Sequence, residues 1–516
     1  MGVIRQPDSE IVKGFLNRKL DNFDWIKEVG DEELDQRIQA LDPRPLLTTP
    51  LFKHQKVMFL IGIKNPDFLF FADLGLGKTF TSLSLISYLK QIGRIKKTLV
   101  LVPNLVLIQS WLDECTKHTP SLKGIAVHGK KHERFQQLNT NSDLYILNYA
   151  GLQVILSSTT GKRNVDGHDV EEFASQFDCI IYDEITAVKN IQSLTYKICN
   201  RLSAVIPYRY GLTGRPFGRH LEDLWAQFHV IDRGKTLGTN FYFFRNCYFK
   251  ASNRPWGIDW KFNNKLTDNL HDQLKNRSIR YKLEDASLVP TRIVYRTNFP
   301  TETITYFNVE EKALKTSAIA GKSDEIRASF IKMREISSGF VNFIEKKGDE
   351  KIQHQIEFAD NPKLELLIEK IQEIPDGCKA IIFHDFTYSG EVITKALKKL
   401  KIEHRWVYGG TPNKKKIQYI QEFKLNPDVG ILILNAASGA LGLNLQVANF
   451  CFFYESPVDP MTRDQAEARI IRTGQTKPTF IIDLVIINSK DEDILGFIKE
   501  GRNLLQELIE NRGISD

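Results

Sequence analysis

Phe68-Leu69-Phe70-Phe71-Ala72-Asp73-Leu74-Gly75-Leu76-Gly77-Lys78-Thr79 is the stretch on which the fold turns. Its first four residues form an apolar run of strand type. A helical stretch from Phe80 to Ile92 follows its last two. Strand, glycine loop and helix in that order are the setting of a phosphate-cradling loop. Gly75 and Gly77 let the backbone curl until its N–H groups face phosphate oxygens. The helix start adds its positive dipole end. Lys78 reaches toward β- and γ-phosphates in such a loop, and the Thr79 hydroxyl suits Mg2+. Ala72 stands where the strict G-x-x-x-x-G-K-[ST] pattern has its first glycine.

Working outward, short apolar runs alternate with amphipathic helical stretches. TLVLV (98–102), LYIL (144–147), CIIY (179–182) and YGL (210–212) follow the loop. A second set holds KAIIF (379–383), HRWVY (404–408), GILIL (430–434), NFCFFY (449–454) and FIIDLVII (480–487). Strands separated by helices predict βαβ units and parallel sheets buried on both faces. The fold class expected is α/β, with two tandem parallel-sheet lobes. The pattern fails between 233 and 290, which reads as an insert between the lobes. The domains expected are an acidic helical extension (1–45), a first lobe (46–232), the insert (233–290), a connecting region (291–360) and a second lobe (361–516) ending in a short helix. A helix is predicted around Ser323 to Ile336 in the connecting region.

With 516 residues, 42% hydrophobic and 26% charged, the chain is a multidomain globular mixture. No stretch reaches the roughly 18 apolar residues of a membrane helix, so no membrane association is expected. The start of the chain has no apolar h-region, so secretion is not signalled. Six cysteines with no C-x-x-C pair argue against zinc or a disulfide framework, and Cys179 and Cys451 lie inside apolar runs. The net charge of +7 is uneven. Residues 1–50 hold 7 Lys/Arg against 10 Asp/Glu. Residues 233–290 hold 11 against 5, with 10 Phe, Tyr and Trp. Basic residues interleaved with aromatics are a nucleic-acid cue. Lys250, Arg254 and Lys261 are the candidate contacts; a solvated surface over a structural aromatic core is the competing reading.

Asp183-Glu184 follows CIIY directly, 105 residues after Lys78. Acidic side chains at the end of a parallel strand lie where ligands bind. Asp183 suits a Mg2+ shell, and Glu184 suits polarising an attacking water. An ordinary solvated loop is the alternative. Gln465, Arg469 and Arg472 are spaced i, i+4, i+7, which predicts one helix face. Guanidinium groups there could reach a γ-phosphate as an arginine finger does. A salt-bridged surface helix is the alternative, since Asp464 and Glu467 are near.

In this order the motifs resemble helicase superfamily two, and within it the Swi/Snf-type ATPases, from about Pro50 to Gln475. Leu51-Phe52-Lys53-His54-Gln55 sits where the family reads adenine. DLGLGKT (73–79), LVLVPNLVLIQSWLDE (99–114) and ILNYAGL (146–152) resemble the motifs of the first lobe. IIYDEITAVKN (180–190) resembles the acidic box, with Thr186 where the family has His. LTGRPFGRHLEDLW (212–225) resembles the L-T-G-T-P segment, with Arg215 and Arg219 as departures. KAIIFHDFT (379–387), Tyr408-Gly409-Gly410, SGALGLNL (438–445) and QAEARIIRTGQ (465–475) resemble motifs of the second lobe. Ser456-Pro-Val-Asp-Pro460 stands where the family has Trp-Asn-Pro.

The resemblance implies RecA-like lobes and a DNA-dependent ATPase that uses ATP and Mg2+. It implies ATP contacts from Gln55, Gly75, Leu76, Gly77, Lys78 and Thr79. Asp183, Glu184, Arg469 and Arg472 would serve catalysis, with Thr79 and Asp183 on Mg2+. Thr213, Gly214 and Gln465 would belong to coupling. Segments 103–111, 148–151 and 384–387 would line a nucleic-acid groove. The leading expectation is translocation along double-stranded or branched DNA. A strand-separating or branch-migrating helicase is the first alternative, and a nucleotide-dependent DNA-binding adaptor the second. With 41 residues after Gln475, a bare motor is expected. The sequence names no protein partner. Its style suggests the cytoplasm of a bacterial or phage-infected cell.

Overall fold

In a computed structural model of the chain, the apolar runs pair as two parallel sheets. The structure describes residues 9–156, 167–216, 220–254, 257–286, 289–347, 350–436, 444–475 and 477–501. The chain divides into two compact units between residues 287 and 288.

The first unit holds β1 (Asp67–Ala72), β2 (Thr98–Val102), β3 (Gly124–Ala126), β4 (Leu144–Asn148), β5 (Cys179–Asp183) and β6 (Tyr208–Thr213). The hairpin β7 (Phe249–Arg254) and β8 (Gly257–Phe262) follows, then β9 (Ser278–Tyr281). The sheet order is β3-β4-β2-β5-β6-β1-β9, and each pairing is parallel. β1, β2 and β5 are buried at every residue, as strands covered on both faces must be.

Residues 233–286 of the segment expected as an insert lie within the first unit. Phe244, Tyr248, Phe249 and Leu270 sit in the same core as Leu69, Leu99 and Ile180. Its last strand, β9, extends the sheet beside β1. The acidic extension is helical at Ser9–Leu16 and Asp31–Gln39 and docks on the same unit. Phe15 packs edge-on to Phe243 at 5.2 Å, and Lys56 bonds Asp31 and Asp35 at 2.9 and 2.7 Å.

The second unit holds β10 (Thr291–Thr297), the antiparallel hairpin β11 (Phe340–Lys347) and β12 (Glu350–Glu357), then β13 (Ala380–His384), β14 (His404–Val407), β15 (Ile431–Asn435), β16 (Phe450–Phe453) and β17 (Phe480–Ile486). Its parallel sheet runs β10-β17-β16-β13-β15-β14. The region expected as a connector therefore supplies an edge strand. It also supplies helices Thr301–Ile319 and Ser323–Ser337, joined by Phe307, Leu314, Phe330 and Met333. The final described helix is Lys490–Lys499, and residues 502–516 lie outside the described residues.

All six cysteines are free thiols; five are buried and Cys378 is half-buried. Among the described residues no helix is long and apolar enough to cross a membrane.

Candidate functional site

Strands β5, β6 and β1 are neighbours. Their carboxyl ends lead to Asp183 and Glu184, to Thr213 and Gly214, and to the loop before Lys78. Ligands of open parallel sheets bind beyond such ends.

Gly75 and Gly77 hold φ of 91° and 72°, the left-handed region that favours glycine. Gly77 caps helix Lys78–Gln91 without a side-chain cap, which leaves the dipole end for an anion. A Cβ on Gly77 would collide with the Gln55 amide. That amide is enclosed: Nε2 donates to the Leu76 carbonyl at 3.2 Å, and Oε1 accepts from Phe52 N at 3.0 Å. His54 Nε2 meets the same carbonyl at 2.9 Å. Gln55 thus supports the loop from beneath. The Leu76 side chain is fully buried, and its N–H donates to Asp73 O at 3.3 Å.

Lys78 is buried, and its Nζ donates to Ala72 O at 2.7 Å and Asp73 O at 3.3 Å. Burial pushes the ammonium's pKa down, and the charges of Glu184 and Asp183 oppose that shift. Thr79 is half-buried in the first helical turn.

Asp183 Oδ2 accepts from Trp111 Nε1 at 2.9 Å, and its carbonyl accepts from the Tyr149 hydroxyl at 3.0 Å. Burial raises its pKa; the Trp111 bond and Lys78 counter it. Glu184 sits at φ 48°, a conformation that costs a non-glycine residue about 1–3 kcal/mol and gathers at functional sites. Its Oε2 accepts from Thr213 Oγ1 at 2.9 Å. Burial raises its pKa as well, against the pull of Lys78. Trp111 and Tyr149, which the resemblance implied for a nucleic-acid groove, turn inward onto Asp183. The available signal was chemical: a Trp in the apolar run LVLIQSWL needs a buried acceptor for its N–H.

In the second unit the helix carrying Gln465 is Pro460–Glu467, so Arg469 and Arg472 lie past its end and share no helix face with Gln465. The helix stops where Arg469 turns its carbonyl to Leu445 N at 3.0 Å and Ile470 and Ile471 enter the core. Its anchor is Arg463, 2% exposed, which donates to Glu467 at 2.7 Å and to Asp483 at 2.6 and 2.8 Å. The neighbourhood holds ion pairs, as the alternative reading expected, but Glu467 and Arg463 are buried. Burial, then the charge of Arg472, lowers the Arg469 pKa to about 10. Asp459 caps the helix through Thr462 N at 2.8 Å, with Pro460 at its start.

Lys250 and Lys261 face each other across β7 and β8, and both are exposed. The Arg254 side chain lies outside the described residues, as do residues 437–443 of the SGALGLNL segment and Arg219. In segment 384–387, His384 is buried, with Nδ1 on Phe386 O at 2.9 Å and Nε2 accepting from Trp406 Nε1 at 3.1 Å. Asp385 pairs with Arg334 at 2.6 Å.

The oxygen donors of Thr79 and Asp183 are hard ligands, and Mg2+ is held by one or two such groups together with water and phosphate oxygens. The donor set fits Mg2+, and the loop, Lys78 and the open helix start fit a nucleoside triphosphate.

Comparison with known proteins gives a match to the SNF2-related domain over residues 52–341 and to the helicase conserved C-terminal domain over residues 362–474. The ATP-dependent helicase fft1 of Schizosaccharomyces pombe is 24% identical over 82% of this chain and 48% of its own length. A Caenorhabditis elegans homologue of the SWI/SNF-related regulator of chromatin subfamily A containing DEAD/H box 1 is 23% identical over 96% of this chain and 55% of its own. The chain thus spans about half the length of these curated relatives. A Sulfolobus solfataricus SWI2/SNF2 ATPase core in complex with dsDNA aligns at 22% identity with a TM-score of 0.40, covering 90% of this chain and 94% of that one.

Proposed function

Because the chain belongs to the family of the SNF2-related domain, we propose that it is an ATPase that moves along double-stranded DNA. The observation that carries this reading is the set of desolvated charges at the carboxyl ends of three adjacent strands. Lys78 faces the charges of Asp183 and Glu184, and Thr213 bonds Glu184.

Lys78 exchanges the carbonyls of Ala72 and Asp73 for the β- and γ-phosphates of ATP. The start of helix Lys78–Gln91 binds the same phosphates. Thr79 and Asp183 would hold Mg2+, which would neutralise charge on phosphate oxygens. Glu184, held by Thr213 and by its turned backbone, orients the attacking water. Arg469 and Arg472 are the residues to which the resemblance gives stabilisation of charge on the transferred phosphoryl group. Thr213, Gly214 and Gln465 are the residues to which the resemblance gives coupling to the state of the nucleotide. Lys250, Arg254 and Lys261 contact DNA phosphates, which makes binding largely sequence-blind and salt-sensitive. The curated relatives named above are eukaryotic, so the bacterial or phage setting draws nothing from them.

The test is ATP turnover with no nucleic acid and with single-stranded DNA, duplex DNA, forked DNA and RNA. Duplex DNA should stimulate at least as well as single strands, and Lys78→Ala should lose turnover while staying folded. Wild-type turnover in Lys78→Ala would remove the ATPase reading. Stimulation by forked DNA alone would favour the helicase alternative, and DNA binding with no turnover the adaptor.

A further inference from the structure

β9 has the sequence Ser278-Ile279-Arg280-Tyr281, and Arg280 stands opposite Phe71 of β1. Its guanidinium forks. Nη1 donates to the Gly214 carbonyl at 2.7 Å. Nη2 forms an ion pair with Asp73 of the phosphate loop. The other Asp73 oxygen accepts from Leu283 N at 3.1 Å, and Asp73 N donates to Tyr281 O at 3.0 Å. Gly214 lies directly on the loop: a Cβ there would stand 3.4 Å from Leu74 N and 3.5 Å from Ala72 O. Beside Gly214, Thr213 holds Glu184. Within the loop, Ala72 and Asp73 hold Lys78. One side chain therefore closes a continuous set of contacts from Glu184 through Thr213, Gly214, Arg280 and Asp73 to Lys78.

We propose that Arg280 is a positioning residue of the ATP site, its fork fixing Gly214 against Asp73 so that the phosphate loop and Glu184 move as one. This rests on the ATPase reading above. A planar, permanently charged fork meets a carboxylate and a carbonyl at once; an ammonium is a single point charge. The Arg280 and Asp73 side chains are 35% and 25% exposed. Such a pair adds little to the stability of the fold, so its worth lies in alignment.

The test uses the full chain with Arg280→Gln, Arg280→Lys, Asp73→Asn and the double variant Arg280→Gln/Asp73→Asn. Turnover at saturating ATP, binding of a fluorescent ATP analogue and thermal midpoint are read together. Arg280→Gln should lower kcat about tenfold or more while nucleotide affinity changes less than about threefold. The thermal midpoint should stay within about 3 °C. Arg280→Lys should recover part of the rate. The double variant should be no slower than the slower single variant, as expected of groups that act as a unit. An unchanged kcat, losses that multiply in the double variant, or a midpoint that falls in step with the rate would each overturn the proposal. If Arg280→Gln fails to fold, Arg280→Lys against Asp73→Asn decides by the same criteria. A wild-type chain without turnover would defeat the ATPase reading itself, whereas an active wild type matched by its Arg280 variants would defeat only this role.

Discussion

Glu184 joins a left-handed backbone to a desolvated carboxylate, and the sign of its pKa shift makes a stability prediction. Its folded pKa lies above the ordinary 4.5 because burial disfavours the charge. The native state therefore binds the proton more readily than the unfolded chain. Stability falls as pH rises from 4.5 through the raised folded value, and the loss is complete above it. Gln has the same shape without the charge. Glu184→Gln should raise the thermal midpoint at pH 8 by a few degrees, with the gain vanishing as pH falls toward 4.5. The same variant should lose turnover by about 10²–10⁴, the usual worth of a positioned base. A lower midpoint at pH 8 would mean that Lys78 and Thr213 compensate the charge fully. Arg472 offers a second residue-scale expectation. Arg472→Ala should keep nucleotide binding and lose hydrolysis by roughly 10³–10⁵, as loss of an arginine finger does. Lost binding at an unchanged rate per bound nucleotide would assign Arg472 to the ground state.

The β7–β8 hairpin sets two lysines directly opposite each other, and like charges in that position destabilise a strand pair. Fold and DNA binding consequently pull in opposite directions. Lys250→Glu should leave the thermal midpoint unchanged or slightly higher while the slope of log affinity against log salt falls by about one unit. An unchanged slope would give the hairpin a structural role. This element also shows what a sequence conceals. β1, β2, β4 and β5 were legible because strands buried on both faces are continuous apolar runs. β9 and β10 were not, because edge strands carry charges: Arg280 in SIRY, Arg292 and Arg296 in TRIVYRT. The glycine loop and acidic strand end were legible from spacing. Trp111, Tyr149 and Arg280 were not, because each reaches the site from a distant segment. The helix that the spacing predicts through Arg469 ends at Glu467, since spacing alone cannot show that Arg463 and Glu467 are drawn into buried pairs while Ile470 and Ile471 turn inward.

For the whole molecule, the expected work is displacement rather than unwinding. A machine that grips phosphate backbone sequence-blind can travel on an intact duplex. The chain should displace the third strand of a triplex in an ATP-dependent way and leave a blunt duplex paired; efficient separation of a plain fork without triplex displacement would overturn this. The division of cysteines bears on how such motion can be watched. Five thiols are buried and Cys378, just ahead of β13, is half-buried. Burial also raises the pKa of Cys179 and Cys199, which suppresses their thiolates. The native protein should therefore take up one equivalent of maleimide dye quickly, rising to six in denaturant. The unmodified chain then carries its own attachment point for a fluorophore, confined to the second unit, and single-molecule recordings need no cysteine-free background. Uptake of two or more dyes in the folded state would remove that convenience.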